Sequence, residues 1–479
     1  MSETFSRRRF LRGAAATAAA TALAPAPLLL TQERPDVAAR SDVNDWRDVP
    51  PMFSYFTKPV AVPMNAANLC PAFMEVTQKV AAELAAMDDD CSLNRRTSDV
   101  YRRAMHQARV GIAFALNAMP QEIALVRNAS AANNTIVNGV TLRDGDEVLL
   151  WDDNHETNDS SWVVRRQRGV ARFEIKRVNI PLSAGVAQIV DIFRRAITPR
   201  TRVISFSEIS NHTGMRLPSK QIAAMAHNVR RDIFVHVDGA QSWGALALDL
   251  HDMGCDSFSG SGHKWPCGPR ESGILYVRCE RVEQLWPNIV AYDINIDAPC
   301  WGQPQPQCGP MRVAGEAFLL PEDDVTESAD VCHLFNDARR FELLGQRNDA
   351  TIFAMTTMAR LHDRIEATHG GRGAVERRIA ALARRLKEKG PTSLLLTPMS
   401  PELSHGVVVF RADKSAQELR RIFQELYGRF GIAGNVTTVM LNGRPQGILR
   451  LCPHIYNTEE QVDHAASAVR ALLVPGAAS

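Results

Sequence analysis

Short runs of apolar and β-branched residues alternate with amphipathic segments through the middle of the chain. The apolar runs predict strands, and they lie at residues 148–151, 172–180, 202–207, 233–237 and 273–277. Apolar positions with helical spacing lie at residues 95–118, 187–197 and 219–230. Strands that alternate with helices favour an α/β fold, with a mostly parallel sheet covered by helices on both faces.

The pattern changes after residue 348. Helical and strand signals follow in the order helical region 349–389, strand 406–410, helix 415–427, strand 447–451 and a final helix that begins near Glu459. This order is typical of a smaller α+β domain. The chain is therefore predicted to consist of an arm with the first helix at 31–94, a large domain at 95–348 and a small domain at 349–479.

A loop rich in Pro, Gly and Cys, at residues 287–324, interrupts the large domain. Irregular segments of this length are commonly active-site lids or interface segments. We expect this loop to influence which substrate is accepted.

The first 30 residues resemble an export signal. They read Ser6-Arg7-Arg8-Arg9-Phe10-Leu11, then an Ala-rich run at 13–23 and a small-residue region with Pro25 and Pro27. Paired arginines, a short apolar stretch and a small-residue cleavage region indicate a twin-arginine signal peptide at 1–30. The alternative is an N-terminal helix of the folded protein, which the prolines disfavour. We therefore expect the twin-arginine machinery as a partner and a periplasmic or secreted protein, with no stable membrane span.

Composition and charge exclude several classes of protein. The chain has 479 residues, of which 45% are hydrophobic and 23% charged, as in an ordinary globular protein. Residues 1–30 hold four arginines and one glutamate, so the formal net charge of +2 becomes −1 after their removal. A nearly neutral protein gives no electrostatic case for binding nucleic acid.

The nine cysteines show no CxxC spacing. We therefore predict no metal site. Cys300 and Cys308 are the most plausible local disulfide pair in an oxidising compartment.

Two segments carry the residue types that a carbonyl cofactor needs. Asp238 ends an apolar run and precedes Gly-Ala, so its carboxylate is expected at the sheet edge where open α/β folds bind ligands. Lys264 lies between strands, flanked by small residues and a histidine. A lysine amine forms an imine with such a cofactor when its pKa is lowered, and an acid at the ring nitrogen maintains the cofactor's electron sink. The alternative is a buried structural ion pair between the two residues.

These segments, Val237-Asp238-Gly239-Ala240-Gln241 and Ser261-Gly262-His263-Lys264, resemble the class V aminotransferase family of fold-type I pyridoxal 5'-phosphate (PLP) enzymes. From about Asn65 onwards, the chain looks most like the isopenicillin N epimerase-like branch. The resemblance implies PLP as the cofactor, with Lys264 as its Schiff-base lysine and Asp238 at the ring nitrogen. It also places Gln241 near the ring hydroxyl, and Ser261 and His263 at the phosphate.

Further segments fit the same family in chain order. Ala129 and Ser130 precede a helical run at 133–140, and N–H groups at a helix N-terminus are suited to a phosphate. His155 matches the family histidine that stacks on the cofactor ring; the alternative is a surface histidine. Asn154 replaces the Glu that usually precedes this histidine.

Two more residues complete the implied site. Asn211 matches the asparagine that reaches the ring hydroxyl. Arg450 matches an arginine that binds the substrate's α-carboxylate, as a planar guanidinium is suited to do. The alternative for Arg450 is a structural pair with an acid of the protein.

The chain also departs from the family pattern. At the position of Gln346, many relatives have a Thr that reaches the partner subunit's cofactor. The resemblance still implies a homodimer with a shared active site, but not this contact. Residues 431–438 lack the nucleophilic cysteine of the cysteine desulfurase branch, which disfavours that reaction.

The predicted function is therefore a PLP-dependent reaction at the α-amine or Cα of an amino acid or aminoacyl compound. Transamination is favoured, because epimerisation by Lys264 needs a second proton donor that the sequence does not identify. Epimerisation of the isopenicillin N epimerase type and oxidative deamination are the alternatives. A ligand-binding regulator without catalysis is disfavoured, since no DNA-binding segment is visible.

Overall fold

A computed structural model describes residues 45–57, 60–92, 95, 98–290, 337–441 and 443–474. The predicted export signal, the cysteines at 300 and 308 and most of the predicted loop 287–324 lie outside these ranges. No helix of the described part is long and apolar enough to cross a membrane.

The strands are β1 (Val62–Pro63), β2 (Ile123–Val126), β3 (Glu147–Trp151), β4 (Glu174–Val178), β5 (Thr201–Ser207), β6 (Phe234–Asp238), β7 (Ser257–Ser261), β8 (Gly273–Val277), β9 (Val408–Arg411), β10 (Ile432–Ala433), β11 (Asn435–Leu441) and β12 (Arg444–Leu451). The α-helices are α1 (Ser54–Thr57), α2 (Met74–Asp89), α3 (Asp99–Leu116), α4 (Ala129–Gly139), α5 (Ser160–Gln167), α6 (Val186–Ala196), α7 (Ser219–Val229), α8 (Leu250–Met253), α9 (Cys279–Val282), α10 (Asp349–Thr368), α11 (Ala374–Lys389), α12 (Ala416–Gly428) and α13 (Glu459–Leu473).

Seven strands form the central sheet, in the order β2-β8-β7-β6-β5-β3-β4. Strands β3 to β7 pair in parallel, whereas β8 runs antiparallel to both β7 and β2. The predicted mostly parallel sheet is therefore confirmed. All five predicted strands of this sheet exist; β2 and β7 were missed.

Alternate residues of the central strands enter different cores. On β3, Leu149 and Trp151 belong to one apolar cluster, and Val148 and Leu150 belong to another. Because successive side chains point to opposite faces of a sheet, these clusters lie on its two sides. Helices cover both faces, as the nearly continuous apolar runs indicate.

The C-terminal part has a three-stranded antiparallel sheet, β11-β12-β9, with its own apolar core. The predicted helical region 349–389 is two helices, because Gly370, Gly371 and Gly373 adopt positive φ angles of 96°, 77° and 84° between α10 and α11. The short parallel pair of β1 with β10 joins the N-terminal arm to this part. A smaller C-terminal domain is thus present, while the boundary at residue 348 stays a prediction.

Candidate active site

The candidate site lies where the parallel strands end. Asp238 is the last residue of β6 and Lys264 follows the end of β7, with Asp238 paired to Ser259 across the two strands. His155 and Asn211 follow β3 and β5. Because parallel strands present their carboxyl ends at one edge, the fold brings these distant segments together.

Asp238 is held by a buried hydrogen-bond network. Its side chain is 2% exposed, and it accepts hydrogen bonds from Asn133 Nδ2 at 3.1 Å and from the backbone N–H of Ala240 at 3.0 Å. Asn133 Oδ1 in turn accepts from Ser259 Oγ at 2.6 Å and lies 3.0 Å from His236 Nε2. The carboxylate is therefore fixed in orientation, as an acid that faces a protonated ring nitrogen should be.

The supporting residues Asn133 and His236 were not predicted. Burial lowers the pKa of His236 to about 4, so its imidazole is neutral and its Nε2–H donates to Asn133. A neutral group beside Asp238 leaves that carboxylate's charge for a cationic partner. Because His236 lies within a short apolar strand, the sequence alone suggests an ordinary buried position there.

The environment of Lys264 favours the neutral form of its amine. Desolvation by burial lowers its pKa; Asp238 raises it and Arg450 lowers it further. No ion pair joins Lys264 to Asp238 within the described ranges, so the structural ion-pair alternative is not supported. An uncharged lysine amine is the form that attacks a carbonyl cofactor.

Backbone hydrogen bonds hold the loop around Lys264 in place. The N–H of Cys70 donates to the carbonyl of His263 at 3.0 Å, and the N–H of Cys267 donates to the carbonyl of Lys264 at 2.9 Å. Gln241 contributes from the side, since its Nε2 donates to the carbonyl of Ala67 at 2.9 Å and its Oε1 accepts from Trp265 Nε1 at 2.8 Å. The predicted contact of Gln241 with the ring hydroxyl stays a prediction.

The phosphate site is predicted at the N-terminus of helix α4. The helix begins at Ala129, four residues before the predicted run, because Asn128 caps it by accepting the N–H of Ala131 at 2.9 Å. Ser261 Oγ accepts the N–H of Ala129 at 2.9 Å, which ties β7 to the helix N-terminus. Ser130 lies in the first turn of α4, and burial lowers the pKa of His263, which follows β7, to about 4. A helix N-terminus with hydroxyl groups beside it is suited to an anion.

The His155 side chain is partly buried and 32% exposed, and its stacking on the cofactor ring stays a prediction. Its Nδ1 accepts the N–H of Thr157 at 3.2 Å, and this fixes the hydrogen on Nε2. Burial lowers its pKa, with Asp238 and Lys264 as the next largest influences, so His155 lies within electrostatic reach of both. Asn154 connects the loop after β3 to the end of β5, since its Oδ1 accepts the N–H of Ser207 at 2.8 Å.

Arg450 is buried without an acidic partner among the described residues. Its side chain is 5% exposed, and it donates to the carbonyl of Asn211 at 2.7 Å and to Asn65 Oδ1 at 3.1 Å. Its Nε and the Oδ1 of Asn211 are buried without a hydrogen-bond partner in the described structure. An uncompensated buried guanidinium is suited to a carboxylate from outside the protein, and the structural alternative for Arg450 is not supported.

These residues fit pyridoxal 5'-phosphate. An amine is available at Lys264, a fixed carboxylate at Asp238 and an anion-binding helix end at Ser130. Asn211 Oδ1 needs a hydrogen-bond donor that the described protein does not supply, which a ring hydroxyl would provide.

A buried cluster behind the site contains three groups that could ligate a metal. Cys70 Sγ, Cys267 Sγ and His454 Nε2 lie within 4.8 Å of one another. However, His454 Nε2 lies 2.8 Å from the carbonyl of Trp265, and its Nδ1 accepts the N–H of Ile455 at 2.7 Å. Both ring nitrogens are therefore engaged, and the cluster is stabilised by hydrogen bonds. The absence of a metal stays a prediction.

Comparisons with a family model and with known proteins agree on the relatives of this chain. A model of the family "Aminotransferase class-V" matches residues 67–291. The isopenicillin N epimerase of Streptomyces clavuligerus is 31% identical over 439 residues, which are 90% of this chain and 99% of that protein. The cysteine desulfurase of Synechococcus elongatus is 30% identical over 236 residues, which are 48% of this chain and 34% of that protein.

Solved structures agree on the fold. A mutant of the enzyme C-DES, with glycine covalently linked to its PLP cofactor, has a TM-score of 0.67 at 21% identity and covers 86% of this chain and 96% of its own. With the relatives above and the site around Lys264, this establishes the cofactor and the fold type. The chain belongs to the class V aminotransferase family of fold-type I enzymes that use pyridoxal 5'-phosphate.

Proposed function

We propose that the protein is an epimerase of the isopenicillin N epimerase type: Lys264 removes the Cα proton of an amino acid or aminoacyl compound from one face, and a proton derived from water is returned to the opposite face. The observation that carries this proposal is the desolvated Lys264 amine, beside Asp238 and Arg450. The sequence similarity to an isopenicillin N epimerase extends over 99% of that protein, whereas the similarity to the Synechococcus elongatus cysteine desulfurase covers 34% of that protein. This difference supports epimerisation over the transamination favoured from the sequence.

Arg450 binds the substrate's carboxylate in this proposal. Hydrogen bonds to Asn211 and Asn65 fix its guanidinium, so the substrate's Cα is held in one orientation. Because the buried Nε has no partner in the described structure, a carboxylate gains a charge-assisted bond without displacing one.

Lys264 acts as the base at Cα. Its lowered pKa favours the uncharged amine, which is the form that can take the Cα proton. Pyridoxal 5'-phosphate supplies the electron sink for the electron pair that the proton leaves behind. Asp238 keeps the ring nitrogen protonated, and Asn133 holds Asp238 in place.

Isotope exchange tests this proposal. The holoenzyme is incubated in heavy water with a panel of amino acids and aminoacyl compounds, and the products are analysed by mass and by chiral separation. We expect deuterium at Cα together with inverted configuration. A keto acid as the main product would replace epimerisation by transamination, and peroxide would indicate oxidative deamination. Lys264→Ala is the matched control and should show no exchange.

We also propose that the protein is exported by the twin-arginine route and works as a homodimer outside the cytoplasm. The support for export is the order of residues 6–27, and the support for a dimer is the family resemblance. Folding before export suits a protein that must bind a cytoplasmic cofactor.

Replacing both Arg7 and Arg8 by Lys is expected to hold the protein in the cytoplasm, because the twin-arginine machinery reads the guanidinium pair. Cell fractionation and immunoblotting measure the distribution. Arg12→Lys lies outside the pair and serves as control. Normal export of the double variant would exclude this route.

A further inference from the structure

Four charged or titratable side chains form a continuous array beside the cofactor site. His155 Nε2 lies 3.6 Å from Glu156 Oε2, Glu156 Oε1 lies 3.5 Å from His212 Nε2, and His212 Nδ1 lies 3.0 Å from Asp153 Oδ1. Thr213 Oγ1 anchors the far end by donating to Asp153 Oδ2 at 2.7 Å. The array therefore runs from a fixed, buried anchor to the histidine that faces the site.

The members of the array differ in exposure. The side chains of Asp153 and His212 are 12% and 15% exposed, while that of Glu156 is 67% exposed. Burial opposes the protonation of His212, but its hydrogen bonds with Asp153 and Glu156 outweigh this and raise its pKa to about 9. His212 is consequently a cation at neutral pH. Its positive charge balances that of one of the two carboxylates it contacts, and its contact with Glu156 restrains this more exposed side chain.

We propose that Glu156 and His212 are positioning residues for His155: His212, anchored on Asp153, holds the Glu156 carboxylate opposite the Nε2–H of His155. Nδ1 of His155 is already fixed by Thr157, so the array controls the second nitrogen and with it the plane of the ring. The inference rests on the proposed function only in that His155 faces the cofactor. It holds for epimerisation and transamination alike.

The array, and not Asn154, contacts the His155 ring and orients it. Both ends of the Asn154 amide bind backbone, with Nδ2 on the carbonyl of Ser205 at 3.1 Å and Oδ1 on the N–H of Ser207. Asn154 therefore fixes the loop but does not contact the His155 ring. Orientation of the ring is left to Thr157 on one side and to Glu156 on the other.

The charges that face His155 give the array a measurable signature. Besides burial, which lowers its pKa, His155 is influenced by Asp238 and Glu156, which raise the pKa, and by Lys264 and His212, which lower it. Removing Glu156 should therefore lower the pKa of His155. Removing His212 should change it less, because loss of the His212 charge raises the pKa while release of Glu156 lowers it. A local loss of structure would expose the ring and move its pKa upward in both variants.

The experiment is a titration of histidine-labelled holoenzyme by NMR, with the His155 signal assigned from a His155→Gln variant. For Glu156→Gln we expect the pKa of His155 to fall by about half a pH unit, as for partly exposed charge pairs. For His212→Asn we expect a smaller change, because the two effects of that substitution oppose each other. Glu174→Gln, an exposed acid on β4, is the matched control and should leave the titration unchanged. A rise, or no change, of the His155 pKa in Glu156→Gln would overturn the proposal.

A second measurement detects the positioning itself. The dissociation constant of PLP is expected to rise by about 10-fold in Glu156→Gln, as for other residues that orient a ligand-binding histidine. Unchanged PLP binding together with an unchanged absorbance spectrum would also overturn the proposal. Failure of the heavy-water experiment would not, because neither readout depends on the reaction at Cα.

Discussion

Replacing Asp238 by asparagine is expected to slow exchange of the Cα proton by about 10²–10³-fold, the usual effect of removing a group that stabilises developing charge. The asparagine side chain is almost the same size, and Asn133 Nδ2 can still donate to its oxygen. What is lost is the negative charge that keeps the cofactor's ring nitrogen protonated. The proton-exchange rate in heavy water measures the effect, and the absorbance spectrum of the bound cofactor reports the ring's protonation state.

A buried acid that directly precedes β7 provides the control. Asp256 is 1% exposed and contacts His227 Nε2 and Arg281 Nε, both at 2.9 Å. Asp256→Asn therefore removes a buried charge of similar burial without touching the candidate site. We expect it to lower stability and to leave the cofactor spectrum unchanged. Equal exchange rates in Asp238→Asn and the wild type would show that Asp238 does not face the ring nitrogen.

The parallel core of the fold could be predicted because its strands are apolar runs of β-branched residues. Strand β7 was missed for a physical reason: Ser257-Phe258-Ser259-Gly260-Ser261 is polar and small, because it lies beside the candidate site. Gly260 shows the constraint, since a Cβ there would lie 2.6 Å from the Trp243 ring. A strand shaped by its neighbours carries no periodic signal of its own.

The two cofactor-binding segments at Asp238 and Lys264 could be predicted because each is a short contiguous motif. Asn133, His236 and the array from Asp153 to His212 could not, since their roles come from pairings across distant strands and loops. Glu156 and His212 are 56 positions apart in the sequence. Only the meeting of β3 and β5 at one sheet edge makes them neighbours.

Charge balance connects the predicted and the unpredicted residues. Burial lowers the pKa values of Lys264, His155, His236 and His263, and Arg450 has no carboxylate partner in the described structure. The site therefore provides one free cation for a substrate carboxylate and one fixed anion for the ring nitrogen. This pairing suits a substrate with an α-carboxylate and a cofactor with a cationic ring.

Replacing Lys264 by alanine is expected to abolish the cofactor absorbance that borohydride fixes on the protein, and to reduce turnover by about 10²–10⁴-fold or more through loss of the base. Lys387 is the matched control, because it too is buried and burial lowers its pKa to about 8. It lies away from the site and donates to Ser404 Oγ at 2.6 Å and to the carbonyl of Pro398 at 2.9 Å. Mass mapping of borohydride-treated protein should find the label on Lys264 and none on Lys387. If both lysines carry it, desolvation alone explains the reactivity; an unchanged spectrum in Lys264→Ala would remove Lys264 as the cofactor's anchor.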